Sequence, residues 1–102
     1  MAEWKPVCRL EEIPLLGSRI VNSTGGDVAV FRTASGEVFA LRDQCPHGGG
    51  SIARGLVHGN QVTCPKHGWR LRLDSGEVVA PDQGCSRRYP VRVERHTVLV
   101  AI

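Results

Sequence analysis

Two short loops of this chain combine cysteine with histidine at spacings suited to binding metal. The first loop contains Cys45 and His47, and the second contains Cys64 and His67. Proline and glycine in both loops let the backbone reverse, so that the thiol and imidazole of one pair can face the same point. Thiolate sulfur suits zinc and iron–sulfur clusters, and imidazole suits zinc and iron. These four side chains are therefore predicted to bind metal.

The order of the ligands separates two kinds of metal site. Structural zinc sites more often pair like ligands, with one pair of cysteines followed by one pair of histidines. Here each loop has one ligand of each kind, and 16 residues separate His47 from Cys64. This favours a [2Fe–2S] cluster in which two histidines replace two cysteines on one iron. A Cys2His2 zinc site is the alternative, and the chain would then be a zinc-binding interaction module.

The paired pattern Cys-x-His and Cys-x-x-His resembles that of the Rieske family. The resemblance implies a Rieske-type [2Fe–2S] cluster with Cys45 and Cys64 on the inner iron. His47 and His67 would then bind the outer, solvent-facing iron. It also implies an electron-transfer protein or an oxidoreductase subunit, with no catalytic residue and no substrate site in this chain.

The loops also predict how the centre is tuned. High-potential Rieske proteins of respiratory complexes have an additional cysteine in each loop and hydroxyl donors to the cluster sulfurs. This chain has Gly50, Lys66 and Trp69 at the corresponding places. Fewer hydrogen bonds to sulfur stabilise the reduced cluster less, so we expect a reduction potential toward the low end of the Rieske range.

Beyond the loops, residues 7–14, 55–59 and 78–94 resemble the small subunit of assimilatory NAD(P)H-dependent nitrite reductase. That resemblance implies a large reductase subunit that carries flavin, a [4Fe–4S] cluster and sirohaem and reduces nitrite to ammonia. The chain departs from this family at Lys66, Arg70 and Arg72, where more apolar or aromatic side chains are expected.

A second role fits the same fold and ligands. It is the soluble Rieske ferredoxin component of a ring-hydroxylating dioxygenase system, whose partners are a flavin reductase and a terminal oxygenase. We do not expect the oxygenase itself, because 102 residues leave no room for a catalytic non-haem iron domain. The neighbouring genes would distinguish the two roles.

Length and composition predict one domain over residues 1–102, with the cluster-binding loops at about 43–69. The first twelve residues contain no apolar run, and no stretch approaches the length of a membrane span. We therefore expect a cytoplasmic protein without a membrane partner. The net charge is +3, but no nucleic-acid-binding motif accompanies it. The spacing of Arg70 and Arg72 fits the solvent-facing side of a strand, with a docking surface for an acidic partner as the alternative.

The remaining pattern predicts an all-β chain of short antiparallel strands. Turn residues such as Gly59-Asn60 and 74–76 separate runs of β-forming residues, and only 11–13 reads as briefly helical. Strands are predicted at 28–32, 37–42, 56–57, 61–63, 69–73, 77–79, 89–94 and 97–102. The expected fold is a Rieske-type antiparallel β-sandwich with a small cluster-binding subdomain of two loops at one tip.

Four further cysteines and histidines are not assigned to the metal. Cys8 and Cys85 are expected to be small buried side chains, with a disulfide between them as the weaker alternative in a reducing compartment. Cys85 in particular is predicted to pack beneath the ligand loops. His58 and His96 lie in turn contexts and are expected at the surface.

Overall fold

A computed structural model of the chain describes residues 3–46, 50–65, 68–80 and 83–102. Within these ranges it contains ten β-strands and one short 3-10 helix, Leu10–Glu12, which confirms the predicted all-β class. No helix in the described ranges is long and apolar enough to cross a membrane. The strands are β1 (Trp4–Arg9), β2 (Gly17–Val21), β3 (Val28–Arg32), β4 (Val38–Arg42), β5 (Leu56–His58), β6 (Gln61–Thr63), β7 (Arg70–Arg72), β8 (Arg88–Tyr89), β9 (Val91–Glu94) and β10 (Thr97–Ala101).

The described strands form three antiparallel sheets. The orders are β1-β10-β9, β2-β3-β4-β8 and β5-β6-β7. Strand β3 is buried from Val28 to Phe31, which places the four-stranded sheet between the other two. The sandwich architecture expected from the sequence is therefore confirmed.

Two separate cores lie on the two faces of the four-stranded sheet, because successive side chains of a strand point in opposite directions. Ala29 and Phe31 face one core, and Val28 and Val30 face the other. The loop-side core is formed by Ala29, Phe31, Leu41, Cys45, Ile52, Val57, Val62, Cys64, Leu71 and Leu73. The far core is formed by Ile13, Val28, Val30, Ala40, Tyr89, Val98 and Val100.

Two predicted strands differ from the structure. The segment 77–79 makes only isolated bridges, Glu77 to Cys85 and Leu71 to Val78. The predicted strand 89–94 is divided at Pro90, which has no N–H to donate to a ladder. Strand β8 therefore pairs with β4, and β9 pairs with β10.

Strands β1 and β2 were not predicted. Strand β1 contains Pro6, a residue normally confined to edge strands and bulges. It lies at the edge of its sheet, and its register against β10 shifts between Pro6 and Cys8. Strand β2 is also an edge strand and begins at Gly17. Pairing with a neighbouring strand therefore forms both β1 and β2, although the local sequence pattern of each is weak.

Two hairpin turns differ in how well their residue types suit the backbone angles that the turn requires. Gly59 has φ +56°, which fits the predicted Gly59-Asn60 turn between β5 and β6. The turn between β9 and β10 instead places Arg95 and His96 at φ 48° and 68°. Non-glycine residues adopt this left-handed region at a cost, so the second turn is strained.

Candidate metal centre

Two of the four predicted ligands lie within the described residues. Cys45 follows the end of β4 and Cys64 directly follows β6; each is 1% exposed. Both sulfur-bearing side chains belong to the loop-side core. The other two predicted ligands, His47 and His67, lie outside the described residues, as does Lys66.

The two ligand loops are closed in the same way. The N–H of Cys45 donates to the carbonyl of Gly50 at 2.7 Å, and the N–H of Cys64 donates to that of Trp69 at 2.6 Å. Both bonds join residues five positions apart. In the second loop, Gly68 also donates its N–H to the carbonyl of Cys64 at 2.9 Å. Each cysteine is therefore held by its backbone at the neck of its loop.

The loops share one edge of the molecule. A groove of about 410 Å³ is lined by Gly50 and Ser51 from the return of the first loop and by Pro65 from the second. Loops from different sheets thus meet at one groove, as expected from the sequence. The first loop continues from β4 in the four-stranded sheet, whereas the second connects β6 to β7.

Asp43 fastens the return of the first loop. Its carboxylate accepts a hydrogen bond from the hydroxyl of Ser51, with oxygens at 2.8 and 2.9 Å, and from the N–H of Ala53 at 2.8 Å. Its own N–H donates to the carbonyl of Asp27 at 2.9 Å. Bonds to an ionised acceptor are the stronger kind, so this half-buried carboxylate ties 51–53 to the end of β4.

Ser86 fastens the start of the same loop. It is 7% exposed, and its hydroxyl lies 3.0 Å from the carbonyl oxygen of Arg42 and 3.3 Å from that of Gln44. Its N–H donates to the carbonyl of Gly76 at 2.8 Å. Gly76 has φ +78°, and a Cβ there would lie 2.1 Å from the carbonyl oxygen of Ser86. Only glycine fits this close approach.

The donor set fits the inner half of an iron–sulfur centre. Two soft thiol ligands lie in one apolar core, at the necks of loops whose sequences supply an imidazole two or three residues further on. Within the described ranges, no set of three or more histidines, cysteines and carboxylates could hold a metal. The assignment of His47 and His67 as the remaining ligands stays a prediction.

The other histidines lie at the surface, as predicted. His58 is exposed, and its Nε2 lies 2.6 Å from the hydroxyl oxygen of Thr63. His96 occupies the exposed turn between β9 and β10. Neither belongs to a described group that could hold a metal.

Cys8 and Cys85 form no disulfide. Cys8 is half-buried against the far core, and burial raises the pKa of its thiol. The expectation that Cys85 is buried was wrong, since it is exposed. It lines a cavity of about 260 Å³ together with Cys45 and Pro46. Cys85 therefore lies beside the first loop, at the surface.

Sequence reasoning missed Asp43 and Ser86 as positioning residues. Asp43 lies two residues before Cys45, which is the only local signal that could have drawn attention to it. Ser86 is separated from Arg42 by 44 positions, and both acceptors of its hydroxyl are backbone carbonyls. Backbone acceptors leave no mark in the sequence, so this contact could be found only in the structure.

The chain belongs to the Rieske [2Fe–2S] domain family, whose family model matches residues 3–90. The protein is therefore a Rieske electron-transfer protein with a [2Fe–2S] cluster. The 3-phenylpropionate/cinnamic acid dioxygenase ferredoxin subunit of Photorhabdus laumondii is 36% identical over 98 residues. The alignment covers 94% of this chain and 91% of that protein.

Two other similarities concern the fold and its occurrence within a longer protein. A protein provisionally assigned as the NADH-dependent nitrite reductase small subunit of Mycobacterium tuberculosis superposes with a TM-score of 0.90 at 24% identity. The superposition covers 100% of this chain and 96% of that one, and at such low identity it supports the fold alone. Cholesterol 7-desaturase of Hemicentrotus pulcherrimus is 34% identical over 77 residues, 74% of this chain but only 16% of that protein.

Proposed function

We propose that this electron-transfer chain is the small subunit of an assimilatory NAD(P)H-dependent nitrite reductase. The observation that carries the proposal is the segment 78–94, whose sequence resembles that subunit. The same segment contains Ser86, which fastens the start of the first ligand loop through Arg42 and Gln44. The resemblance therefore covers a part of the chain that contacts the residues directly before Cys45.

The proposal assigns a role to each part of the site. Cys45 and Cys64 bind the inner iron, and His47 and His67 bind the outer iron. The cluster supplies a one-electron couple when bound. The chain buries the two sulfurs in the loop-side core and holds the first loop at both ends, so that little rearrangement accompanies electron transfer.

The partner in this proposal is a cytoplasmic large subunit with flavin, a [4Fe–4S] cluster and sirohaem. The large subunit performs the reduction of nitrite to ammonia, and this chain accepts and passes single electrons. The loops meet at a surface groove, which suits contact between two proteins.

The test is reconstitution with the large subunit encoded by the same genome. NADH or NADPH is mixed with the large subunit and the oxidised chain in a stopped-flow spectrometer, and bleaching of the cluster's visible absorption is followed. We expect rapid reduction of the wild-type chain and of His96→Ala, a control in the exposed turn between β9 and β10. A large subunit that forms ammonia from nitrite but never reduces or binds this chain would refute the proposal.

A second candidate is the ferredoxin of a ring-hydroxylating dioxygenase system. It is favoured by the 36% identity with a dioxygenase ferredoxin subunit over nearly the whole of both chains. Its partners would be a flavin reductase and a terminal oxygenase. The same stopped-flow measurement distinguishes the candidates when such a reductase and oxygenase replace the large subunit, because only one pair of partners should exchange electrons at a catalytically useful rate.

A further inference from the structure

Three basic side chains between the first ligand loop and β1 form no ion pair with any acidic residue that the structure describes. The ion pairs found among the described residues use Arg9, Arg19, Arg72 and Arg92. Lys5, Arg42 and Arg87 belong to none of these four pairs. We call these three residues the basic patch. Lys5 and Arg87 are exposed, and Arg42 is half-buried.

Two cavities connect the members of the basic patch. Lys5 and Arg87 line an open cavity of about 470 Å³, with Thr24 on its wall. Arg42 and Arg87 line the cavity of about 260 Å³ that also contains Cys45. Because Arg87 lines both, the patch begins beside a cluster-binding cysteine and continues across the surface to β1.

Tyr89 adds an aromatic wall to the larger cavity. It lines that cavity and is only 5% exposed, with the Arg87 guanidinium 5.0 Å from its ring centroid. Its hydroxyl makes no hydrogen bond to any residue that the structure describes. The hydroxyl oxygen is not among the fully buried unpaired atoms, so it is accessible to solvent. A buried tyrosine normally places its hydroxyl on a partner. Here that partner is solvent, which an occupant of the cavity can displace.

The chemistry of the wall determines the chemistry of the occupant. Lysine and arginine side chains are donors without an acceptor, and a tyrosine hydroxyl can also donate. An ionised carboxylate has acceptor sites for all of them and forms charge-assisted hydrogen bonds with the two cations. The cations are spread over two joined cavities and do not converge on one point, which suits an extended acidic segment better than a single small ion.

We propose that the basic patch docks an acidic segment of a protein partner, with one carboxylate entering the cavity between Lys5 and Arg87. This inference rests on the electron-transfer role and specifies the charge of the partner and the side of the first loop that it covers. The net charge of +3 attracts such a partner at a distance. Docking there would bring the partner beside Cys45.

The binding test uses an acetylated and amidated tetraglutamate peptide as the probe. The holoprotein labelled with ¹⁵N is titrated with the peptide, and the backbone amides of Lys5, Thr24 and Gly25 are followed. We expect these amides to shift in the wild type. Lys5→Glu combined with Arg87→Glu should weaken the apparent affinity about tenfold, as expected for two surface contacts turned repulsive.

Arg95→Glu is the matched control for charge. Arg95 is exposed and lies in the turn between β9 and β10, whereas Lys5 pairs with Val100 near the other end of β10. We expect this variant to bind the peptide within about twofold of the wild type, since only long-range electrostatics is altered. If the double variant fails to fold, Lys5→Gln is tested alone and should still weaken binding more than Arg95→Gln.

Two results would overturn the proposal. One is an equal loss of affinity in the Arg95 control, which would mean that only total charge matters. The other is inorganic phosphate shifting the same amides as strongly as the peptide at equal concentration, which would make the cavity a small-anion site. Failure of the nitrite reductase reconstitution with the peptide result intact would refute the proposed partner and leave the docking surface standing.

Discussion

Replacement of Asp43 by alanine should loosen the first ligand loop without altering the fold. The substitution removes the acceptor for the Ser51 hydroxyl, at 2.8 and 2.9 Å, and for the Ala53 N–H, at 2.8 Å. A hydrogen bond to a charged group contributes roughly 1.5–3 kcal/mol. Because Asp43 is half-exposed, the lower value applies to each bond, and the two together amount to about 3 kcal/mol.

The assay measures release of iron from the holoprotein to a coloured ferrous chelator after reduction. Local opening of the loop exposes the metal, and a loss of about 3 kcal/mol in closing free energy predicts release that is faster by about 100-fold. Asp43→Asn keeps one carbonyl oxygen in place and should fall between the wild type and Asp43→Ala.

Asp74→Ala is the matched control for loss of a carboxylate. Asp74 is exposed and is paired at the surface with Arg72, whose guanidinium lowers the pKa of the Asp74 carboxyl. It should release iron at the wild-type rate. Equal rates of iron release in Asp43→Ala and Asp74→Ala would refute the role of Asp43 in holding the first loop closed. The cluster itself would then hold that loop closed.

Four other predictions concern the centre and the fold. The purified protein should contain two irons with labile sulfide per chain, and stoichiometric zinc without iron would contradict the cluster. His47→Ala or His67→Ala should remove or degrade the visible spectrum while His58→Ala and His96→Ala keep it, and loss of colour in the last two alone would show that the ligands are misassigned. Voltammetry should place the midpoint potential toward the low end of the Rieske range, about −150 mV, and a value near +300 mV would exclude the flavin-fed role. Arg95→Asn combined with His96→Gly should raise the free energy of unfolding by about 1–2 kcal/mol in urea titration, because asparagine and glycine tolerate the left-handed turn; unchanged stability would show that this turn is unstrained.

Local patterns predicted the parts of the fold that depend on local interactions. Alternating residues at 28–32 and the Gly59-Asn60 turn were read correctly, since side-chain alternation and positive φ each have a residue-level signature. The edge strands β1 and β2 were missed, because Pro6 in β1 weakens the pattern and pairing with distant β10 overrides it. Segment 77–79 looks like a strand but makes only isolated bridges.

The metal centre likewise has features that the local sequence predicts and features that it does not. The alternating ligand types near Cys45 and Cys64 identify an iron–sulfur pattern, and both cysteines are buried as a metal site requires. The hydrogen bonds by which Asp43 and Ser86 hold the first loop could not be predicted from the sequence. Asp43 is one carboxylate among many, and the acceptors of the Ser86 hydroxyl are backbone carbonyls. The partner also leaves no local signature, since docking depends on which cations lack a counter-charge in the folded chain.

The division of the interior into two cores bears on the order in which the protein matures. Both described cysteine ligands lie in the loop-side core, whereas the far core consists of Val28, Val30, Tyr89 and residues that pack with them. Half of the interior can therefore form before any iron arrives, and that half supports Lys5 and Tyr89 of the docking surface. We therefore expect a partner that recognises the Lys5 side of the proposed docking surface to bind the apoprotein as well as the holoprotein.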